Sequence, residues 1–157
     1  MGVGSRPHHM VLAWGGRVVA GQAKIAATGP RMDITQGSPR AVVDWQSFNV
    51  GSNASVVFNQ PSSSSVMLNR VLDTQGSQIF GHISANGQVF LTNPNGIYFA
   101  PSASVDVGGL VATTHSISNQ DFMAGRYLFQ RNGATGSIVN EGKLRAALGG
   151  YIALLAP

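Results

Sequence analysis

The sequence predicts an all-β protein in one domain, on three observations. Apolar residues alternate with polar ones in short runs, the period of a half-buried strand. Clusters of Gly, Asn, Pro and Ser interrupt these runs every ~8–12 residues, as strands joined by tight turns require. The composition is 10% charged and 43% hydrophobic, with 20 glycines, and its polar remainder is mostly Ser, Asn, Gln and Thr. That balance is too apolar for a disordered chain and too glycine-rich for a helical bundle. A length of 157 residues suffices for one continuous core.

The elements follow in chain order. Ala41, Val43 and Trp45 fall on one strand face, with Val42, Asp44 and Gln46 on the other. Val56 to Phe58, Val66 to Leu68, Val89 to Leu91 and Ile97 to Phe99 are short apolar runs, each bounded by Gly, Asn, Pro or Ser. Ala103, Val105 and Val107 alternate with Ser104, Asp106 and Gly108, and Leu110 and Ala112 continue beyond Gly109. Helical spacing is sustained nowhere; the best helical candidate is Asn119 to Ala124, opened by an Asn-Gln-Asp triplet. Turns are expected at Thr28 to Pro30, Gly37 to Pro39, Gly51 to Asn53, Asn86-Gly87, Asn95-Gly96, Asn132-Gly133 and Gly149-Gly150. From Gly136 to Pro157, Ile138-Val139, Leu144 and Tyr151 to Leu155 are separated by corners within ~20 residues, the lower end of solenoid repeat lengths. Pacing alone leaves a solenoid and a sandwich equally open.

The terminal residues Met1 to Met10 (MGVGSRPHHM) read as a non-native leader or an arbitrary start. Residues 1–12 are accordingly set apart from a domain over residues 13–157. No signal-peptide pattern and no window of ~20 apolar residues is visible, so stable membrane insertion by a helix is not expected.

Chemistry is sparse. The net charge of +4 comes from dispersed Arg and Lys with no basic run, which argues against nucleic-acid binding. The absence of cysteine removes disulfides, thiolate metal sites and cysteine nucleophiles. His82 and His115 stand alone, without His, Cys or carboxylates at metal-ligand spacing. Asp33, Asp44, Asp73, Asp106, Asp121 and Glu141 are scattered singly, so no glycosidase-like carboxylate pair can be nominated. No Gly-x-Ser-x-Gly elbow and no phosphate-binding Gly-x-x-x-x-Gly-Lys loop is present. No catalytic residue, metal or cofactor is expected. Trp14, Trp45, Phe48, Phe90, Tyr98 and Phe99 read as core and cap packing.

The densest signal is Ser84 to Phe99, SANGQVFLTNPNGIYF. Asn86-Gly87 suits a tight turn. In Asn93-Pro94-Asn95-Gly96, Pro94 presets φ at the second turn position, Asn95 suits the third and Gly96 closes the turn. The side chain of Asn93 can bond the backbone beyond it. By local physics this is a rigid polar corner between apolar strands.

Asn93-Pro94-Asn95-Gly96-Ile97 also resembles the signature of the two-partner-secretion domain, the haemagglutination activity domain of filamentous-haemagglutinin-type exoproteins. Gly16 to Gly21 resembles that family's opening strand, AVVDWQSFNVG (residues 41–51) its Trp-Gln-Ser-Phe-Asn segment, and FNQPSSSSVMLNR (residues 58–70) the stretch that follows. Residues 79–99, 108–112 and 149–157 continue the likeness, which covers about residues 13–157. The resemblance implies a right-handed single-stranded parallel β-helix with an N-terminal cap and extra-helical strands. It implies a non-enzymatic, secreted or cell-surface adhesin-type protein, exported through the periplasm. The partner is an outer-membrane β-barrel transporter that recognises the domain through POTRA domains, while β-helix folding is nucleated during export. The residues carrying recognition are Asn93, Pro94, Asn95, Gly96 and Ile97, supported by the N-terminal strand Arg17, Val18, Val19 and Ala20.

The chain stops at Pro157, where relatives of this kind continue, and is expected to be C-terminally truncated. An open last coil predicts concentration-dependent self-association through its unpaired backbone edge. Adhesion to host glycan or protein is the alternative reading, with host-cell contact expected downstream of this chain. A carbohydrate-active β-helix enzyme is a weaker third reading.

Overall fold

The computed structural model describes residues 11–157. The first ten residues, assigned from sequence to the leader, lie outside the described residues. Leu12 is only 5% exposed and packs into the core, and the Val11 carbonyl accepts from Gly51 N–H.

The chain folds into β1 (Arg17–Ala20), β2 (Ala23–Thr28), β3 (Arg31–Gln36), β4 (Arg40–Trp45), β5 (Ser55–Asn59), β6 (Val66–Val71), β7 (Ser77–Ile79) and β8 (His82–Ala85). There follow β9 (Gln88–Thr92), β10 (Ile97–Phe99), β11 (Ser104–Val107), β12 (Gly109–Thr113), the short helix α1 (Asn119–Met123), β13 (Ile138–Asn140), β14 (Lys143–Ala146) and β15 (Ile152–Leu155). One sheet runs β1-β4-β6-β9-β12-β15, a second β2-β3-β5-β8-β11-β14, and a third β7-β10-β13. Successive strands of each face pair in parallel, because the chain visits the second, first and third faces in turn and then begins the next coil. This is a parallel β-helix, and it decides for the solenoid over the sandwich. At the N-terminal end β1 pairs antiparallel with β4, and β2 with β3, forming the cap.

Registers give the coil length. Arg31 aligns with Ser55, Ser55 with His82, His82 with Ser104 and Ser104 with Lys143, so successive coils take 24, 27, 22 and 39 residues. The long last coil carries the excursion that contains α1.

The interior is built from aligned apolar rows. Ala41, Met67, Val89 and Leu110 stack in register inside the first sheet, one residue from each coil. The row beside it contains Val43, Asn69 and Leu91. Asn69 is fully buried, and its carboxamide accepts from Trp45 Nε1 at 3.0 Å and donates to the Phe90 carbonyl at 3.2 Å. A polar residue is thus tolerated in the core because its hydrogen-bonding groups are met.

The outer face of the first sheet is buried as well. Val42, Leu68, Phe90 and Val111 align across four strands and are covered by Ile117 and Phe122 of the excursion. Phe90 meets Phe122 edge-on with centroids 5.7 Å apart and Tyr127 at 5.0 Å. This double burial explains the continuous apolar runs at residues 66–68 and 89–91, which depart from strict alternation. Helix α1 lies where the sequence places it, but its cap is Ser118, whose hydroxyl accepts from Asp121 N–H at 3.1 Å. Of the aromatic residues assigned to packing, Trp45, Phe48, Phe90 and Phe99 are fully buried, while Trp14 is 47% exposed beside the cap.

Two arginines fasten the excursion. Arg70 Nη1 donates to Asp44 at 2.8 Å, while Nη2 donates to the Ile117 carbonyl and to Asn119 Oδ1 at 3.0 and 2.6 Å. Arg40 donates to Tyr127 Oη at 3.2 Å and lies over its ring. Replacing Arg70 with Met is expected to cost about 2 kcal/mol, because Asp44 keeps a half-buried charge without its partner. Urea unfolding measures the cost, and limited proteolysis should show faster cleavage between residues 114 and 137.

Tyr151, immediately before β15, donates to Gln88 Oε1 two coils earlier. Burial, with a smaller contribution from Tyr127, pushes its phenol up to about 12 from the ordinary 10. The folded state therefore holds the proton more tightly than the unfolded chain. The stabilisation is complete below pH 10 and lost as pH rises from about 10 to 12. Phenolate absorbance should show Tyr151 titrating about two pH units above an exposed tyrosine, a delay that Tyr151→Phe abolishes.

Candidate functional site

The turn Asn93–Ile97 forms a corner between the first and third sheets in the middle of the stack. The Asn93 carbonyl accepts from Gly96 N–H at 3.0 Å, closing a four-residue turn, and its side-chain oxygen accepts from Asn95 N–H at 2.9 Å. Both bonds follow from the sequence, since Pro94 fixes the entry and an Asn at the first turn position supplies the second acceptor. Gly96 sits at φ 108°, a conformation that only glycine adopts without strain.

The turn is locked to its neighbours as firmly as to itself. Asn93 is fully buried. Its Nδ2 donates to the Gln75 carbonyl and to Ser77 Oγ of the preceding coil, each at 3.1 Å, and its N–H donates to Thr113 O of the following coil. Asn95 Nδ2 donates to the Asp73 carbonyl at 2.7 Å. Ser77 N–H donates to Gly96 O, Gly136 N–H to Pro94 O, and Ile97 N–H to Ser137 O. A side chain at Gly136 would place Cβ 2.4 Å from Asn95 backbone carbon, so the next corner can approach only because it is glycine. Ile97 is buried in the core, whereas Pro94 and Asn95 are exposed. The motif therefore divides: Asn93, Gly96 and Ile97 hold the stack, and Pro94 and Asn95 form its outward tip.

Arg17, Val18, Val19 and Ala20 form β1, at the edge of the same sheet. The pairing slips between Val18 and Ala20, which marks a bulge at Val19. Strands β4 and β6 separate β1 from β9, which puts the two regions roughly 14 Å apart at ~4.8 Å per strand. They share a cross-strand row, Arg17, Asp44, Arg70 and Thr92, but not a contact surface. Sequence reasoning missed Ser77, Thr113 and Gly136 as supports of the turn. The repeated Gly-Ser pairs at 76–77 and 136–137 carried a signal, since a small residue ahead of an apolar strand recurs at equivalent corners.

The corner has no nucleophile or general base among its motif residues. Among the described residues, no group of three or more His, Cys, Asp or Glu is placed to hold a metal ion. Four of the carboxylates accept from other side chains: Asp33 from Arg31 and Asn59, Asp44 from Arg70, Asp121 from Arg126, and Glu141 from Tyr98. No described helix is long and apolar enough to cross a membrane.

Asn93→Ala should destabilise the fold by about 2–3 kcal/mol, because it leaves buried donors and acceptors of two coils unpaired. Pro94→Ala should cost less than ~1 kcal/mol, the entropy of a freer turn in the unfolded chain. Chemical denaturation of the two variants checks the ranking.

Comparison with known proteins agrees with this architecture. The family profile described as TPS secretion domain matches residues 10–157. A Heme/hemopexin-binding protein of Haemophilus influenzae strain Rd is 38% identical over 135 residues, covering 85% of this chain and 15% of that protein. A second Haemophilus influenzae Heme/hemopexin-binding protein is 39% identical over 115 residues, covering 73% of this chain and 12% of its own length. The chain thus spans a small fraction of these curated relatives. The crystal structure of the HMW1 secretion domain from Haemophilus influenzae superposes with a TM-score of 0.79 at 36% identity, covering 83% of this chain and 35% of that one.

Proposed function

The chain belongs to the TPS secretion domain family, and on that premise we propose that it is the secretion-targeting module of a larger exoprotein. Two-partner secretion pairs an exoprotein with a dedicated outer-membrane transporter. The transporter's periplasmic POTRA domains recognise this module, and the passenger then leaves through the transporter to the cell surface or the medium. The observation that carries this reading is the division within Asn93–Ile97. A corner whose buried half is fixed by two neighbouring coils presents Pro94 and Asn95 in one conformation. A preorganised tip loses little entropy on binding.

The cap supports the reading from a second direction. β1 and β2 are the N-terminal edge strands of the first two sheets. An edge strand offers unpaired backbone groups to a partner strand, and β-augmentation needs little else. Outside the cell, each finished coil presents such an edge to the next, so stacking templates folding and favours outward movement. No acid–base pair or nucleophile in the motif calls for an enzymatic role. Heme and hemopexin binding are named for proteins of which this chain matches 15% or less, so that activity is not carried over to it.

The test is binding of the purified chain to the POTRA domains of its partner transporter, alongside a folded Pro94→Ser/Asn95→Ala double variant. Binding by the parent and at least about tenfold weaker binding by the variant, a difference of about 1.4 kcal/mol, is expected. A well-folded parent that does not bind contradicts the role; equal binding by the variant removes the tip from the interface.

A further inference from the structure

Three Asn-Gly pairs occur in the chain, at residues 86–87, 95–96 and 132–133. All three asparagines are exposed, yet the fold holds them differently. We propose that Asn132 is a site of spontaneous covalent modification, where the folded chain converts asparagine to aspartate and isoaspartate. Asn86 and Asn95 are shielded from the same chemistry.

Asparagine is a chemically labile residue, and a following glycine makes it more so, because no Cβ obstructs the attacking backbone. The glycine nitrogen attacks the side-chain carbonyl carbon of the asparagine. A C–N bond forms and closes a succinimide ring, the glycine nitrogen gives up its proton, and the side-chain amide leaves as ammonia. Water, the sole co-reactant, then opens the ring at one carbonyl to give aspartate or at the other to give isoaspartate. The step needs a glycine nitrogen free of hydrogen bonds and a backbone that can rotate to bring it against the side chain. Local opening therefore ranks the three sites, and its cost rises with the bonds that must break.

Two of the pairs are tied into the stack. Gly87 is buried, and its N–H donates to Gln60 Oε1 at 2.9 Å. Asn86 is clamped at both side-chain atoms, with Oδ1 accepting from Gln60 N–H and Nδ2 donating to the Gln60 carbonyl, each at 2.8 Å. Gly96 N–H is taken by the Asn93 carbonyl, while Asn95 Nδ2 holds the Asp73 carbonyl of the preceding coil. Rotation at either pair breaks bonds between coils.

The third pair is tied only within the excursion. Residues 131–134 form a turn closed by Ala134 N–H donating to the Arg131 carbonyl at 3.0 Å, with φ 49° at Asn132 and 76° at Gly133. Among the described residues other than glycine, Asn132 alone has positive φ, a conformation that asparagine tolerates but does not prefer. Gly133 N–H makes no hydrogen bond among the described residues, and a Cβ on Gly133 would meet nothing within 4 Å. The Asn132 amide donates to Ser116 Oγ, also in the excursion. Opening here leaves every bond between coils intact. The product replaces that amide donor with an anion that only accepts, and isoaspartate lengthens the turn by one backbone atom. The change falls on the segment that covers Phe90, while the tip at Asn95 keeps its amide. No transporter takes part in this chemistry.

The experiment is incubation of the purified, folded chain in mildly alkaline buffer, with peptide mass mapping over time and enzymatic methyl labelling of isoaspartate. The Asn132 peptide is expected to gain the mass of a hydroxyl in place of an amino group, and to take the label. Its rate should exceed those at Asn86 and Asn95 by at least about tenfold, a barrier difference of about 1.4 kcal/mol. In denaturing urea the three pairs should convert at comparable rates, and Asn132→Gln should remove the early product of the folded chain. A folded chain in which Asn132 stays intact, or in which Asn86 or Asn95 converts as fast, overturns the proposal. A preference for Asn132 that persists undiminished in urea also overturns it, since local sequence and not the fold would then set the ranking.

Discussion

The structure depends on one constraint, the ~4.8 Å spacing at which successive coils stack. On a flat face that spacing is met by ordinary parallel hydrogen bonding. At a corner the chain turns, and its backbone groups must find partners in corners directly above and below. Asn93 solves this with one side chain, bonding Ser77 and the Gln75 carbonyl on one side while bracing its own turn at Asn95. Its N–H reaches Thr113 on the other side. Gly136 completes the solution by contributing no atom where there is no room for one. A buried asparagine and a facing glycine are what allow three coils to share one corner.

The same spacing aligns side chains into rows, and rows give the molecule two apolar compartments. The inner one, around Met67, Val89 and Leu110, is the solenoid core. The outer one, around Leu68 and Phe90, exists only because the excursion folds back over the first sheet. Arg70 and Arg40 hold that excursion from strands on which it packs, so a polar clamp secures an apolar contact. The excursion also supplies Arg131 to a groove beside Pro94, which makes its docking part of the surface chemistry of the corner.

Much of this was legible in the sequence. Alternation at residues 41–45 and 103–107 placed strands, and Asn-Pro-Asn-Gly specified a turn whose hydrogen bonds are those its residue types dictate. The excursion was harder to read. Its helix was placed correctly, yet nothing in residues 114–137 announces that they cover Phe90; only the unbroken apolar runs at 66–68 and 89–91 hinted at a second buried face. The choice between solenoid and sandwich could not come from local pacing, because both need short strands and frequent turns. Register across coils decides it, and register is a long-range property. The roles of Ser77 and Thr113 depend on which coil lies above which, and no spacing in the chain fixes that in advance.

Fold and family converge on a TPS secretion domain, and the role proposed for it is to be recognised by a transporter and then to begin a stack. Its fixed corner gives it a constant feature to present, and its parallel sheets give later coils a surface to build upon. The most direct measurement is export of a reporter fused behind this chain, bearing a periplasmic export signal, in cells with and without the partner transporter. Reporter outside the cell only when the transporter is present is the expected result. Reporter retained in the periplasm with a functional transporter present, or released equally without one, would contradict a secretion-targeting role.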